Sequence, residues 1–364
     1  MKPTENKYMK RNKAKKKNTR GRLLILSIGI FLLGLVAVLW LFLGSATAFE
    51  EKSKMVLIPK DQTQKSAVVE AFKVAGILRF PKLLGIAGAP LNIWDKMKPG
   101  RYEIKRGQSI ISIVRMLKNS RLAEIKLVIN KIRTKSDLAR LLSKNFLTDS
   151  ITAMQFMGSN DSLRPFKTDT SNLFTHIIPN TYIFYSDASL NTIFRKLSEE
   201  SSEFWSEKNR LKKAADLNMS PQQVYILASI VEEETNFDAD KYKIASVYIN
   251  RLKKSMLLQA CPTIKYAMND FKLTRIYEKY LINPSPYNTY KVKGLPPGPI
   301  CTPSPKTIDI VLDAPATKYI YFVAKSDFSG YHHFSDNYAS HYLLAKEYQQ
   351  KLDLYMLKKQ EKKP

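Results

Sequence analysis

The chain has 364 residues, enough for two or three domains of ordinary size and a sizeable core. Hydrophobic residues make up 44% and charged residues 25%, which excludes a wholly disordered chain. A formal charge of +27 implies polyanionic surroundings and leaves three partner classes: nucleic acid, anionic lipid or an acidic polymer.

The first 22 residues carry ten Lys or Arg against one acid, Glu5, and form a basic tail with too little apolar content for a core. Leu23–Leu43 follows without a charged residue. At about 1.5 Å per residue it spans a hydrocarbon core of about 30 Å, with Trp40 near one interface. A cleaved signal peptide is one alternative, since Ala46-Thr47-Ala48 resembles a cleavage site, but the apolar run is long for a signal. A buried core helix is another, and the lack of a polar face argues against it. The expected arrangement is a single-pass span at a bacterial cytoplasmic membrane. The membrane is the inner one, the N-terminus is cytoplasmic and everything from about residue 45 is extracytoplasmic, in the periplasm. Topogenesis and lipid contact explain the tail more simply than nucleic-acid binding, so no nucleic-acid partner is expected.

After a linker over 44–54, Met55–Pro59 predicts a strand and Val68–Leu78 a helix. Gly100–Ile104 alternates as a strand, Ser109 caps a helix over Ile110–Leu117, and Ala123–Ile129 is a third strand. Residues 55–130 are therefore expected to form a small βα domain. Residues 131–175 contain one helical pattern, Lys135–Lys144, among Ser, Asn, Asp and Thr clusters, and are expected to be a connector.

A denser region runs over 176–357, with a basic tail at 358–364. Ser189–Lys208 predicts an amphipathic helix and Ser220–Leu258 two helices with a turn. A Pro/Gly-rich segment follows, then a strand at Tyr319–Ala324 and a final helix over 337–357. The overall expectation is an α+β protein.

Ser220-Pro221-Gln222-Gln223 combines an N-cap Ser, Pro at the first helical position and Gln three residues on. Along the helix that follows, Leu227, Ile230 and Val231 form one stripe, and Glu234 falls on it. Glu232 and Glu233 point to the sides or to solvent. A carboxyl on an apolar face resists ionisation and can hold a proton near neutral pH, as a general acid requires. The bland alternative is an acid at a helix end that curls into solvent. Thr235 and Asn236 stand where they could bond the carboxyl or a ligand.

The two cysteines, Cys261 and Cys301, would lie outside the membrane, where disulfides persist. Even number, compartment and settings close to proline favour a bridge closing a loop of about 40 residues, worth roughly 4 kcal/mol in the entropy model. Two buried free thiols are the other reading. Two Cys and four His show no ligand spacing, so no metal or cofactor is expected.

Leu227–Thr235 (LASIVEEET), Ile244–Leu252 (IASVYINRL), Met256–Tyr266 (MLLQACPTIKY), Tyr287–Tyr290 (YNTY) and Gly294–Pro303 (GLPPGPICTP) occur in this order. The set resembles the MltG-type (YceG-like) endolytic murein transglycosylases over roughly 176–350, ending in YIYFVA and HHFS. The resemblance implies a LysM-like module over 55–130 and a YceG-like catalytic domain over 176–357. It implies Glu234 as the catalytic residue, with Glu232 as its main rival. The reaction implied is lytic cleavage of the MurNAc–GlcNAc bond with a 1,6-anhydro product, so one carboxyl acts as acid and then base. Asn250, Gln259, Tyr287, Asn288 and Tyr290 match family motif positions, and with Glu232 and Thr235 they are candidates for substrate contact. Their amide and phenol groups suit sugar hydroxyls, although each also has a structural reading. Gly294–Gly298 is expected to shape a cleft wall.

The chain departs from the family pattern where Cys261 replaces an Asp and Cys301 a small residue, a paired change that fits a disulfide. Asn180 stands where the family commonly has Asp. Subtracting the tail's nine charges from 27 leaves about +18, suited to an acidic polymer and to anionic lipid. Expected partners are peptidoglycan strands, the membrane, wall synthases, and division or elongation machinery. A non-catalytic glycan-binding scaffold and a lysozyme-type hydrolase are the rivals.

Overall fold

A computed structural model describes residues 19–273 and 275–361, with side chains described from Leu23 to Leu357 apart from Thr274. Most of the basic N-terminal tail and the last three residues of the C-terminal one lie outside these residues. The chain divides into two compact units, Met1–Ala123 and Glu124–Pro364.

The first unit opens with helix α1 (Thr19–Leu43), none of whose apolar side chains over Leu23–Leu43 is buried. Strand β1 (Ser53–Ile58) pairs antiparallel with β2 (Gly100–Lys105), Ser53 opposite Lys105 and Ile58 opposite Gly100. Helices α2 (Lys65–Val74) and α3 (Pro81–Gly88) lie between the strands in sequence, and α4 (Ile110–Lys118) follows. Val56, Ile58, Phe72, Leu84, Tyr102 and Ile113 form its core. The predicted helix over Val68–Leu78 stops early, because Gly76 turns the chain at φ 59° and sends Ile77 and Leu78 into the core.

The predicted third strand, β3 (Glu124–Ile129), does not join this sheet. It pairs antiparallel with β4 (Asn180–Tyr185) of the second unit, Glu124 opposite Tyr185 and Ile129 opposite Asn180. The structural division therefore falls at Ala123/Glu124, where the sequence reading put it after residue 130. Local periodicity identifies a strand but not its partner.

The expected connector over 131–175 is a folded layer. It carries α5 (Lys135–Asn145), α6 (Ser150–Gly158) and the short α7 (Asn160–Leu163). Its polar clusters are caps: Thr134 and Asp137 close a capping box, Asp149 accepts from Thr152 N, and Ser159 accepts from Ser162 N. Leu138, Leu142, Met157, Leu163, Phe166 and Phe174 are buried together with Tyr182, Phe184 and Leu197.

Next come α8 (Leu190–Ser206), capped by Ser189, and α9 (Arg210–Asp216). Helix α10 (Pro221–Glu234) stands inside a second core of this unit, flanked by α11 (Asp238–Lys253) and α12 (Cys261–Ala267). After the short α13 (Glu278–Leu281), α14 (Pro305–Leu312) packs on α10 and α11. Strands β5 (Tyr321–Ala324) and β6 (His332–Ser335) pair antiparallel, and α15 (Tyr338–Glu361) follows.

Candidate active site

Helix α10 starts where its caps require. Ser220 Oγ accepts from Gln223 N at 3.2 Å, Gln223 Oε1 accepts from Ser220 N at 2.8 Å, and Pro221 opens the helix. Every residue from Val224 to Val231 is buried, so this is a helix enclosed on all sides and not one with a single apolar face. It ends at Glu234, and Thr235 leaves in an extended conformation.

Three consecutive carboxylates end the helix, and their partners differ. Glu232 accepts from Lys241 Nζ at 2.9 Å, from Ser304 Oγ at 3.2 Å and from the Thr307 hydroxyl, with Lys131 Nζ 3.8 Å away. Burial alone would raise its pKa. The Thr307 and Lys241 hydrogen bonds and the two positive charges outweigh it and hold the group below the usual carboxylate range. Glu233 receives both arms of Arg133, at 3.2 and 3.0 Å, and lies 3.3 Å from Lys131 Nζ. Neither acid is turned to solvent, as the sequence reading had it: both are partly buried in ion pairs.

Glu234 has no ion pair among the described residues. Its Oε1 accepts from Tyr248 Oη at 2.5 Å. Desolvation by the surrounding protein raises the carboxyl to about 7. The Tyr248 hydrogen bond and the charges of Lys265 and Arg251 pull downward, and Glu233 adds to the rise. Tyr248 is fully buried on α11, with its ring edge-on to Phe322. Burial and the neighbouring Glu234 push its hydroxyl well above the ordinary phenol value, so it stays a donor. Oε2 has no hydrogen-bond partner among the described residues.

The other sequence candidates divide into two groups. Tyr290 lies within electrostatic reach of Glu234, its hydroxyl 3.2 Å from Cys261 Sγ, and burial keeps that phenol protonated. Tyr287 packs against Tyr266, ring centroids 4.7 Å apart. Gln259 is exposed in a left-handed conformation (φ 54°), its Oε1 3.3 Å from Arg251 Nη1. Of these three, Tyr290 is the one near Glu234, while Gln259 meets Arg251 and Tyr287 meets Tyr266.

Three others are occupied by backbone. Asn250 Nδ2 donates to Thr317 O at 2.8 Å and Tyr319 O at 2.9 Å, tying α11 to the chain before β5. Asn288 is fully buried and donates to Leu281 O and Asn283 O while accepting from Tyr290 N. Thr235 Oγ1 accepts from Phe237 N at 3.2 Å and caps a turn. Glu232 is likewise occupied, by the side chains of Lys241, Ser304 and Thr307. The cysteines are free thiols, not a bridge: Cys301 is buried and donates to Ser229 O at 3.4 Å, while Cys261 is exposed.

Tyr248 and Lys265 escaped the sequence reading. Both lie inside motif stretches already singled out, but Tyr248 continues the buried face of α11, and only its contact separates it from an ordinary core tyrosine. Lys265 sits four residues after Cys261 on α12, a spacing that puts both on one helical face.

A sequence model described as the YceG-like family matches residues 56–347. The chain is similar to an endolytic murein transglycosylase of Bacillus subtilis (strain 168), 39% identical over 42% of each chain. It is also similar to an endolytic murein transglycosylase of Streptococcus pneumoniae serotype 2, 35% identical over 29% of this chain and 20% of that one. The match spans less than half the length of these curated relatives. A crystal structure of a YceG-like protein from Listeria monocytogenes aligns with a TM-score of 0.53 at 25% identity, covering 81% of this chain and 100% of that one.

Proposed function

The chain belongs to the YceG-like family, and from that premise we propose that it is an endolytic murein transglycosylase, a lyase with Glu234 as its acid and base. Protonated Glu234 gives its Oε2 proton to the glycosidic oxygen as the MurNAc C1–O bond breaks. The carboxylate so formed takes the proton of the same sugar's C6 hydroxyl, whose oxygen bonds to C1. The products are a 1,6-anhydroMurNAc end and a free hydroxyl on the departing GlcNAc, with no water consumed. A single acid suffices, unlike the paired carboxylates of hydrolytic glycosidases.

The observation that carries this reading is the unpaired, desolvated Glu234 beside two ion-paired neighbours, with a carboxyl at about 7. Tyr248 positions the carboxyl, and Lys265 supplies a positive charge nearby, suited to an acidic glycan.

Helix α1 serves in this proposal as a single-pass anchor at the cytoplasmic membrane, with the basic tail cytoplasmic and the residues from about 45 onward outside. Integration of the segment after it supports an uncleaved chain: Ala46 N donates to Gln108 O, Ala48 N to Ile77 O, and Thr47 Oγ1 accepts from Gly107 N. The β–α–α–β–α first unit is the candidate LysM-like module. An anchored enzyme of this kind would act on newly made strands beside wall synthases and the division or elongation machinery.

The test is mass spectrometry of products from the purified full chain in detergent with peptidoglycan, beside Glu234→Gln. Anhydro-ended fragments from the wild type, lost in the variant, are expected. Free reducing ends would replace the lyase by a hydrolase, and binding without cleavage would leave a scaffold.

A further inference from the structure

The first unit is joined to α1 with almost no slack. Gly44 N donates to Trp40 O at 2.8 Å, and two residues later Ala46 is already buried, its N donating to Gln108 O at 3.0 Å. Thr47 pairs with Leu78 in an antiparallel bridge, and Arg79 N donates back to Ala46 O at 3.0 Å. Backbone hydrogen bonds, not a flexible linker, therefore set where the Arg79–Lys82 segment stands relative to the end of α1.

That place is beside the helix and not beyond it. Trp40 and Leu41 line one recess together with Phe80, Leu83 and Ile110. Trp40 lies three residues, about 4.5 Å of helix, before Leu43. The 21 residues Leu23–Leu43 measure about 30 Å along the axis, the thickness of a hydrocarbon core. A bilayer that holds this helix thus has one boundary close to the level of Trp40, and the side chains sharing its recess stand at that boundary too. Phe80 is 56% exposed there. A single exposed Phe is ordinary on a protein surface, and the level of this one on the helix is what sets it apart.

The charge around it is of one prevailing sign. Arg79 and Lys82 flank Phe80 in sequence and are both exposed. Arg79 Nε donates to Thr47 O at 3.0 Å, a bond that leaves its two terminal nitrogens for other partners. A second recess shares Ser45 and Arg79 with the first and adds Arg106, whose Nη1 pairs with Glu50 at 3.2 Å in the same lining. Over residues 44–123 as a whole, fifteen Lys or Arg outnumber six acids. An aromatic ring at interfacial depth between two cations suits the boundary between acyl chains and lipid phosphates. Resting on the anchor reading of α1 above, we propose that Arg79-Phe80-Pro81-Lys82 is a membrane-contact site. Phe80 enters the interface of the leaflet through which α1 leaves, and Arg79 and Lys82 meet the phosphates of anionic lipid. The first unit then lies on the bilayer surface and does not swing freely about its tether.

The experiment uses the full chain in vesicles of phosphatidylglycerol and phosphatidylethanolamine. The photoreactive residue p-benzoylphenylalanine replaces one residue at a time, and adducts formed on irradiation are identified by mass spectrometry. Replacement of Trp40 reports on the span and replacement of Phe80 on the proposed contact. Replacement of Asn119 reports on the far end of α4, about 13 Å of helix from Ile110. Lipid adducts are expected at Trp40 and, within about threefold of that yield, at Phe80, with roughly tenfold fewer at Asn119. Arg79→Gln with Lys82→Gln should lower the phosphatidylglycerol share of the Phe80 adducts by about twofold. Lipid adducts at Trp40 with none at Phe80 overturn the inference and leave the anchor standing, and so do Phe80 adducts that join two protein chains. A phosphatidylglycerol share that both substitutions leave unchanged overturns the role given to Arg79 and Lys82. Absence of lipid adducts at Trp40 removes the anchor reading, and the inference with it.

Discussion

Glu232 and Glu233 leave α10 toward a cluster of cations, whereas Glu234, on the same helical turn, leaves it toward a phenol. All three are partly buried, so burial does not distinguish them. What differs is compensation. Lys241, Thr307 and Ser304 meet Glu232, and Arg133 and Lys131 meet Glu233, while among the described residues Glu234 has one hydrogen bond and no paired charge. One carboxylate is thus driven below its ordinary pKa and another raised to about 7. The first pattern anchors a helix end. The second holds a proton up to near neutral pH, the property that the proposed role of Glu234 requires.

The largest effect that would break this comparison is on activity. Glu234→Gln is expected to lower the cleavage rate by about 10⁴-fold if, as proposed, one residue supplies both proton transfers. Glu233→Gln should cost far less, and equal losses in release of anhydro-ended fragments would remove the distinction. Next comes stability. Lys241→Met leaves Glu232 buried with only Lys131 near it as a charge, and should destabilise the second unit by about 3 kcal/mol in urea unfolding. An unchanged midpoint would show that the Glu232 cluster holds nothing together.

Tyr248→Phe sharpens the comparison from the other side. It keeps the ring beside Phe322 and removes the hydroxyl on Glu234 Oε1. That hydrogen bond favours the charged carboxylate, so its loss raises the Glu234 pKa and moves the alkaline limb of the pH–rate profile upward. The turnover rate should fall by roughly ten- to a hundredfold through looser positioning. A profile that does not move would reduce Tyr248 to a core tyrosine.

The parts of this site legible in sequence are those written in local chemistry. The Ser220–Gln223 cap, the end of α10 and the position of Glu234 follow from spacing and capping residues. The pairing of Glu232 and Glu233 does not, because Lys131, Arg133, Lys241 and Thr307 come from distant segments that folding brings to one helix end. Angular position was also a weaker guide than it looked, since α10 is buried on every side. The same limit explains the region over 131–175: Thr134, Asp149 and Ser159 look like loop residues until their caps and the buried apolar residues between them are seen together. Asn250 and Asn288 are motif positions whose amides hold backbone, so motif membership alone did not separate binding from support.

The smallest expected effect concerns what Glu234 costs the fold. Its carboxyl is raised from 4.5 to about 7 in the folded chain, so between these values the folded state binds more protons than the unfolded one. Stability from this group is fully present below about pH 4.5 and is lost as pH rises through about 7. A neutral amide in its place escapes that loss. Glu234→Gln should therefore match the wild type in stability near pH 4.5 and exceed it by roughly 1–2 kcal/mol at pH 8, allowing for the partial exposure of the residue. Paired urea titrations at the two pH values measure the difference. A variant no more stable at pH 8 than at pH 4.5, relative to wild type, would mean that the carboxyl ionises at its ordinary value, and the contrast with Glu232 would lose its electrostatic basis.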